Sequence, residues 1–271
     1  WSLVTSGTAN SLYAVSGDGS TGSLATVGNN GTALVSTSTT SSTWTASNPS
    51  FADDALYAAW RSDALGIFAG FSQAGVLRRS LASVWSLNTF APTLNGAAAV
   101  SATAAYAAGN YGAFAQLTGG AWQWQVAMAG SYTYFGQLFA PSATQLYGMR
   151  FAGVYSYSNG SWLPAYEPGT TGWNGIGGSA ANDIVVGGNA GLLARFVTSW
   201  ATASPNLLAS TDAVRRIAGA PNSPIFAVGW DNSLIGLILR YSAGTWTRMS
   251  LPTTSTIRDV TVVDPSNAFA V

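Results

Sequence analysis

The run Ser11-Leu-Tyr-Ala-Val15 is the first of four near the start of the chain, and it is followed by Ser23-Leu-Ala-Thr-Val27, Thr32-Ala-Leu-Val-Ser36 and Trp44-Thr-Ala-Ser47. The segments between these runs are rich in Gly, Ser, Thr and Asn, which favour turns. Runs of roughly four to six residues, broken by turns every eight to twelve, are typical of β-strands rather than helices. The stretch therefore predicts one antiparallel unit of four strands.

This unit recurs along the chain with a tryptophan in its last run. The tryptophans are Trp1, Trp44, Trp85, Trp122, Trp162, Trp200 and Trp246. Their spacing of about 40 residues is the length of one propeller blade, and also that of helical armadillo and HEAT repeats. The strand pattern inside each period excludes the helical repeats and favours a β-propeller over a parallel β-solenoid.

The number of units predicts how the fold closes. Residues 251–271 contain only the first two strands of a unit, at 256–263 and 267–271, and residues 1–6 match an outer strand. We therefore expect one domain over residues 1–271, an all-β, seven-bladed β-propeller of four-stranded antiparallel blades. Its last blade would be closed by N- and C-terminal strands and would lack its third strand, which would follow Val271 or come from another chain by strand exchange. The expected blades are residues 7–48, 49–89, 90–127, 128–166, 167–204 and 205–250, with 251–271 plus 1–6 as the closing blade.

Paired glycines mark the turn between the second and third strands. A Gly-x-x-Gly pair suits a tight hairpin in which φ is positive. We expect both glycines of each pair to serve this turn. The pairs are Gly28 and Gly31, Gly109 and Gly112, and Gly188 and Gly191.

Composition excludes several functions. Only 7% of residues are charged, the formal net charge is zero, and Lys, His and Cys are absent. Nucleic-acid binding is not expected, because phosphate contacts come mainly from clustered Lys and Arg. No apolar run approaches the length of a membrane span, and no signal peptide or disulfide framework is visible.

The same composition leaves little basis for catalysis. Without His or Cys there is no Ser-His-Asp or Cys-His arrangement and no imidazole or thiolate metal site. The acidic residues lie mostly in turns, whereas glycoside hydrolysis needs two placed carboxyl groups. We expect no catalytic residue, no metal site and no cofactor.

Charged residues in two first strands are the strongest candidates for a binding site. The sixth unit has Val214-Arg-Arg-Ile217 and the seventh has Ile257-Arg-Asp-Val260, where the first unit has Leu12-Tyr-Ala-Val15. Alternation along a strand predicts Arg215 and Arg258 on one face and Arg216 and Asp259 on the other. Two hypotheses follow: a structural Arg-Asp pair between units, or a polar patch that binds an anionic or hydroxyl-rich ligand.

The tryptophans give a second set of candidates. A Trp at one position of every repeat is expected to fill the core between sheets. Trp60, Trp124, Trp173 and Trp230 lie outside the series, and Trp60, Trp173 and Trp230 are predicted ligand contacts. Asp231 follows Trp230 in an enlarged hairpin and is included as a candidate binding-loop residue.

Several motifs resemble those of a known group of propellers. Leu12-Tyr-Ala-Val15, Phe226-Ala-Val-Gly229, Gly31-Thr-Ala-Leu34 and Ser158-Asn-Gly-Ser-Trp162 are similar to the degenerate Asp-box, or BNR-like, repeats of secreted and cell-surface bacterial proteins. The resemblance covers the whole chain and implies an extracellular or cell-surface bacterial protein with a role in adhesion. Asn159 stands where a full Asp box has Asp, so the resemblance implies the turn and not sialidase chemistry.

We therefore expect a non-enzymatic extracellular module for binding or assembly, with a glycan or another surface protein as ligand. Propellers host hydrolases, lectins and scaffolds alike, so two other classes stay open. One is a carbohydrate-active hydrolase of sialidase-like architecture, which measurable hydrolysis would reveal. The other is a structural subunit of an extracellular filament, which ordered self-association would reveal.

Overall fold

The fold is described from a computed structural model of the 271-residue chain. The described residues are 1–40, 43–49, 55–62, 66–71, 75–80, 82, 84–89, 93–101, 104–118, 121–126, 134–142, 144–150, 152–169, 172–203 and 207–271. The regular elements in these ranges are 26 β-strands, which confirms the all-β prediction. The strands divide between two compact units, the N-terminal unit (residues 4–135 and 271) and the C-terminal unit (residues 1–3 and 136–270).

Three four-stranded sheets form the N-terminal unit, and consecutive strands pair antiparallel in each. The first contains β1 (Leu12–Asp18), β2 (Ser23–Gly28), β3 (Ala33–Ser36) and β4 (Thr45–Ala46). The second contains β5 (Leu56–Ser62), β6 (Gly66–Phe71), β7 (Gly75–Arg79) and β8 (Trp85–Thr89). The third contains β9 (Leu94–Ser101), β10 (Ala104–Gly109), β11 (Ala113–Thr118) and β12 (Ala121–Val126).

The C-terminal unit repeats this pattern and ends in a smaller sheet. Its first four-stranded sheet contains β13 (Phe135–Ser142), β14 (Gln145–Arg150), β15 (Gly153–Ser158) and β16 (Ser161–Tyr166). The next contains β17 (Trp173–Ala180), β18 (Asp183–Gly188), β19 (Leu193–Phe196) and β20 (Trp200–Thr202). The third contains β21 (Ala213–Ala218), β22 (Ile225–Trp230), β23 (Gly236–Ser242) and β24 (Thr245–Arg248), and a two-stranded sheet contains β25 (Val260–Asp264) and β26 (Asn267–Ala270).

The prediction of seven four-stranded blades, the last closed by strands from both termini, is wrong. The described residues form six four-stranded sheets, and β25 and β26 pair only with each other. Residues 1–6 lie in no strand. Trp1 instead sets its ring edge-on against Phe226, with ring centroids 5.5 Å apart, while Leu3 is 70% exposed. A ring contact to a neighbouring sheet thus replaces the predicted strand pairing of residues 1–6.

The first strand of the last sheet is also shorter than predicted. It was expected over 256–263, but β25 begins at Val260. The Ile257 N–H donates instead to the Gly229 carbonyl of the preceding sheet, at 3.2 Å. This hydrogen bond holds the segment before β25 against β22, so the segment does not extend the pairing with β26.

A β-bulge recurs near the start of the first strand of several sheets. In β21, Val214 pairs with Gly229 and Arg216 with Val228, so Arg215 is an extra residue without a cross-strand partner. Such a bulge re-aims the side chain of the extra residue. The same irregularity makes Tyr13, Tyr57, Asn95 and Asn174 the extra residues of β1, β5, β9 and β17.

A glycine lies opposite the bulge in four of the sheets, and close backbone approach requires it there; in the second sheet Phe71 takes this place, opposite Leu56. A Cβ on Gly28 would lie 2.0 Å from the Ser11 carbonyl oxygen, and one on Gly229 would lie 1.9 Å from that of Ala213. Gly109 and Gly188 have the same close approach, to Thr93 and Gly172. Only the second glycine of each pair has positive φ, at Gly31, Gly112 and Gly191. The positive φ expected for the hairpin is therefore found at the second glycine of each pair, while the first closes the hairpin: the Gly28 N–H donates to the Thr32 carbonyl at 2.9 Å and the Gly188 N–H to the Leu192 carbonyl at 3.0 Å.

Four tryptophans of the repeated series, Trp85, Trp122, Trp200 and Trp246, pack in the core as predicted, whereas Trp1 is 39% exposed. In the C-terminal unit, Trp200 stacks on Tyr166 of the preceding sheet at 4.5 Å between ring centroids and 15° between planes. In the N-terminal unit, Trp85 packs against a cluster that includes Leu56 and Leu77, and its Nε1 donates to the Ser47 carbonyl at 2.6 Å. Trp122 and Trp246 pack on equivalent clusters. The repeated Trp is thus a structural residue.

Candidate binding surface of the C-terminal unit

The first strands of the C-terminal unit lie side by side and point the same way. A Cβ on Gly175 of β17 would lie 3.1 Å from the Arg215 carbonyl oxygen, and one on Gly177 would lie 2.4 Å from that of Ile217. Only glycine permits such backbone contact. The starts of β17 and β21 therefore lie at one edge of the unit. We call this the bulge edge: the ends of the sheets at which first strands begin and second strands turn into third strands.

A single glutamine side chain ties three of these strands together. The Gln137 Oε1 atom accepts from the Ile176 N–H at 2.9 Å, and its Nε2 atom donates to the Ile217 carbonyl at 3.1 Å. Gln137 belongs to β13 and its partners to β17 and β21, so the amide bridges three sheets. These hydrogen bonds fix how far the three strands are shifted along one another, and hence the relative positions of the residues at the bulge edge.

Arg216 and Asp259 form an ion pair between β21 and the segment before β25. The Arg216 Nε and Asp259 Oδ1 atoms are 4.0 Å apart, and each side chain is only 13% exposed. The Asp259 carboxylate also accepts from the Val260 N–H at 2.9 Å. The hypothesis of a structural Arg-Asp pair between units of the repeat is confirmed.

Arg215 and Arg258 occupy the other positions predicted for binding. Arg215 is the bulged residue of β21, is half-buried, and has no hydrogen bond or ion pair with any described residue. Arg258 stands at the same place in the next repeat, one residue after the buried Ile257, and is exposed. A guanidinium group carries a planar set of hydrogen-bond donors. Two such groups at equivalent places of adjacent repeats are suited to bind a carboxylate or phosphate.

Asp231 has a structural role in its loop. Its Oδ1 atom accepts from the backbone N–H groups of Ser233 and Ile235, at 2.9 and 3.1 Å. Arg248 lies 3.2 Å from the Asp231 Oδ2 atom and 3.7 Å from that of Asp212, whose side chain is only 3% exposed. Arg248 thus joins two carboxylates and fixes the loop at the bulge edge.

The three predicted tryptophans lie in different surroundings. Trp173 is 4% exposed and packs with Tyr166 in the core of the C-terminal unit. Trp60 is partly buried against a core cluster of the N-terminal unit that contains Leu94, as is Trp124. Trp230 is half-buried at the end of β22, beside Asp231 at the bulge edge. Trp173 begins β17 and Trp230 ends β22, so both lie at the bulge edge of the C-terminal unit, but Trp173 is buried there and Trp230 is the more accessible of the two.

A buried tyrosine and the only Glu of the chain meet at the bulge edge of the sheet formed by β13 to β16. The Tyr155 hydroxyl donates to the Glu167 carboxylate, and the Arg150 guanidinium lies 4.6 Å from the Tyr155 ring centroid. Burial, and then the hydrogen bond to Glu167, raise the pKa of Tyr155 above its ordinary value. Its phenol is therefore neutral near pH 7, and its 6% exposure leaves little access for a substrate. The group is suited to positioning and not to nucleophilic attack.

The bulge edge of the N-terminal unit is aromatic and amide-rich instead. The bulged residues Tyr13 and Tyr57 stack with ring centroids 5.4 Å apart, and Tyr57 is 41% exposed. Asn95, the next bulged residue, donates to the Asn110 side-chain oxygen at 2.8 Å, beside Tyr111, which is 67% exposed. Sequence reasoning missed these residues because it did not predict the bulge, whose only signal is their common place one residue after the leading apolar residue.

The strand order, the recurring bulge and the Trp packing define a β-propeller repeat protein, and solved structures agree. The chain is similar to U3-55K, with a TM-score of 0.76 at 12% identity over 97% of this chain and 88% of that one. It is similar to a catalytically inactive virginiamycin B lyase from Staphylococcus aureus solved with quinupristin, at TM-score 0.78 and 11% identity over 95% and 90% of the chains. It is also similar to YCF48 bound to a D1 peptide, at TM-score 0.74 and 14% identity over 97% and 90%.

At such identities the similarity shows the fold alone. No family model and no curated protein matches the sequence. The predicted BNR-like character and the secreted type stay predictions. In the ranges that the structure covers, no helix has the length and apolarity to cross a membrane, and no group of three metal-ligating side chains occurs.

Proposed function

We propose that the protein is a non-enzymatic binding module that holds an acidic segment of a partner protein at the bulge edge of its C-terminal unit. The observation that carries the proposal is the presence of an arginine, Arg215 or Arg258, at equivalent places of two adjacent repeats. Arg215 has no hydrogen bond or ion pair with any described residue, and a half-buried guanidinium is favoured when it has an acceptor. A ligand carboxylate would supply that acceptor.

The surrounding residues support recognition rather than catalysis. Asp259 and Asp231 are held by Arg216 and Arg248, so these carboxylates are engaged in structural contacts. The Tyr155 phenol is kept neutral by burial and by Glu167. The solved structure of YCF48 with a D1 peptide is an example of a similar fold that binds a peptide. A protein ligand is therefore favoured over a glycan.

The extracellular or cell-surface location stays a prediction of the repeat resemblance. The low charge of 7% is consistent with a surface wetted mainly by hydroxyl and amide groups. Detection of the native protein in cell fractions would decide the location independently of the ligand.

The test is binding of synthetic acidic, neutral and basic peptides of equal length, measured by fluorescence anisotropy. We expect the acidic peptides to bind, and Arg215→Gln or Arg258→Gln to weaken binding about tenfold or more, since hydrogen bonds to charged groups contribute about 1.5–3 kcal/mol. Arg240→Gln is the matched control, because Arg240 lies on β23 towards the opposite ends of the strands. Equal losses in all three variants, glycan binding alone, or turnover of chromogenic glycosides would contradict the proposal.

A further inference from the structure

The connection between β22 and β23 holds a leucine in a conformation that leucine rarely adopts. Leu234 has a φ of 60°, in the left-handed region where a Cβ is strained. A hydrogen bond from the Leu234 N–H to the Asp231 carbonyl, at 2.9 Å, closes the turn just before it. Hairpin loops that follow a turn with a left-handed residue normally place glycine there. At a left-handed turn position of the first sheet the chain uses Asn30, a residue type that tolerates this conformation.

The contacts that hold the loop backbone do not involve the leucine side chain. Its backbone is held by the Asp231 carboxylate, which accepts from two N–H groups and pairs with Arg248. Leu234 is 63% exposed and Ile235 is 38% exposed. The fold therefore gains little burial from Leu234 and bears the strain of its backbone. Exposed apolar side chains on a pre-organised loop are suited to contact a partner at little cost in conformational entropy.

The loop that carries these side chains is anchored next to the segment before β25. A Cβ on Gly236, at the end of the loop, would lie 2.5 Å from the Ser255 carbonyl oxygen and 2.9 Å from the Ile257 Cγ1 atom. At the other end of the loop, the Gly229 carbonyl accepts from the Ile257 N–H. The loop thus packs against the segment that carries Arg258. Arg215 follows Val214, which pairs with Gly229.

We propose that Leu234 and Ile235 are the apolar contacts of this binding surface, and that the partner segment carries large apolar side chains next to its acidic ones. The inference rests on the proposed function and adds that the ligand carries apolar side chains as well as acidic ones. Two positive charges beside two exposed aliphatic side chains are complementary to an acidic and apolar segment. Neither a basic nor a purely polar segment satisfies both parts of the surface.

The test uses three synthetic peptides as probes: one acidic and apolar, one acidic in which Ser and Gly replace the apolar residues, and one basic and apolar. Binding is compared for the parent, for Leu234→Gly and for Ala243→Gly. Ala243 has a φ of 51° in the exposed turn between β23 and β24, so its replacement relieves similar strain elsewhere. We expect Leu234→Gly to melt no lower than the parent, yet to bind the acidic and apolar peptide about tenfold more weakly. Ala243→Gly should bind like the parent.

The outcomes separate this inference from the proposed function. If both acidic peptides bind equally and Leu234→Gly changes neither, the apolar contact is refuted while the arginine site stands. If neither acidic peptide binds, or if the basic and apolar peptide binds best, both are refuted. If Leu234→Gly lowers the melting temperature, the leucine has a structural role and the inference fails.

Discussion

The bulge edges of the two units have the same β-bulge in the backbone but carry different types of side chain. In the N-terminal unit the bulged residues of β1 and β5 are Tyr13 and Tyr57, which stack on each other. In the C-terminal unit the bulged residue of β21 is Arg215, and Arg258 follows at the equivalent place. The bulge recurs in both units and a glycine lies opposite four of the five described bulges, whereas the bulged side chain differs from one sheet to the next. Differences in function are therefore expected at this position.

The position next to the bulge shows the same contrast. Ala14 and Ala58 fill it in the N-terminal unit, at 3% and 6% exposure. Arg216 fills it in β21 and pairs with Asp259. Alanine at this position belongs to the apolar core, whereas Arg216 is paired with an acidic residue of the next repeat. The C-terminal unit thus uses positions for charge that the N-terminal unit uses for packing.

The largest expected effect tests whether the core of each unit is packed around its tryptophans in the same way, despite the different edges. Trp200→Ala in the C-terminal unit and Trp122→Ala in the N-terminal unit should each lower the free energy of unfolding by about 3–5 kcal/mol, because burial is lost and a cavity forms. Chemical denaturation measures both. Stability equal to the parent in both variants would show that these tryptophans are not core residues.

The next effect tests whether the glycine opposite the bulge is equally strict in both units. Gly28→Ala and Gly229→Ala should each cost about 3 kcal/mol, because the new Cβ would meet a backbone carbonyl. Gly160→Ala is the control, since Gly160 has a φ of 78° and open space around it. It should cost about 1 kcal/mol from backbone strain alone. Equal costs at Gly160 and Gly229 would remove the close-approach argument.

A smaller effect on stability tests what the charged pair of the C-terminal unit contributes, compared with the alanines at the same position of the N-terminal unit. Asp259→Ala should cost about 1–2 kcal/mol, because it removes the carboxylate that lies 4.0 Å from the Arg216 Nε atom, and the Arg216 side chain is only 13% exposed. The double change Arg216→Ala with Asp259→Ala, which copies the N-terminal unit, should be closer to the parent than Asp259→Ala alone. A double-mutant cycle with no coupling energy would show that the pair contributes nothing.

The smallest effect concerns alkaline pH and is confined to the C-terminal unit. Because burial and Glu167 raise the pKa of Tyr155, folding favours its protonated form. Its contribution to stability is fully present below the unfolded pKa of about 10 and is lost as pH rises through the higher folded pKa. Tyr155→Phe should therefore flatten the loss of stability above about pH 10. An unchanged alkaline profile would contradict this assignment.

Much of the architecture could be predicted because strand alternation, turn residues and the Trp period are local properties of the sequence. The last sheet could not be predicted in the same way. The position of residues 1–6 depends on a contact between Trp1 and Phe226, and no local sequence pattern encodes that contact. The Arg216–Asp259 pair was predictable because two charged residues interrupt an apolar strand. The tyrosine pair and Leu234 were not, because the bulge and the left-handed φ are properties of the folded backbone.

Ligand recognition is expected at the charged bulge edge and not at the aromatic one. The most direct measurement is the affinity of the acidic and apolar peptide for two double variants, Arg215→Gln with Arg258→Gln and Tyr13→Ser with Tyr57→Ser, each checked for folding by circular dichroism. We predict a loss of about a hundredfold for the arginine variant, from two charge-assisted contacts, and parent-like affinity for the tyrosine variant. Parent-like affinity for the arginine variant, with binding lost in the tyrosine variant, would contradict the account.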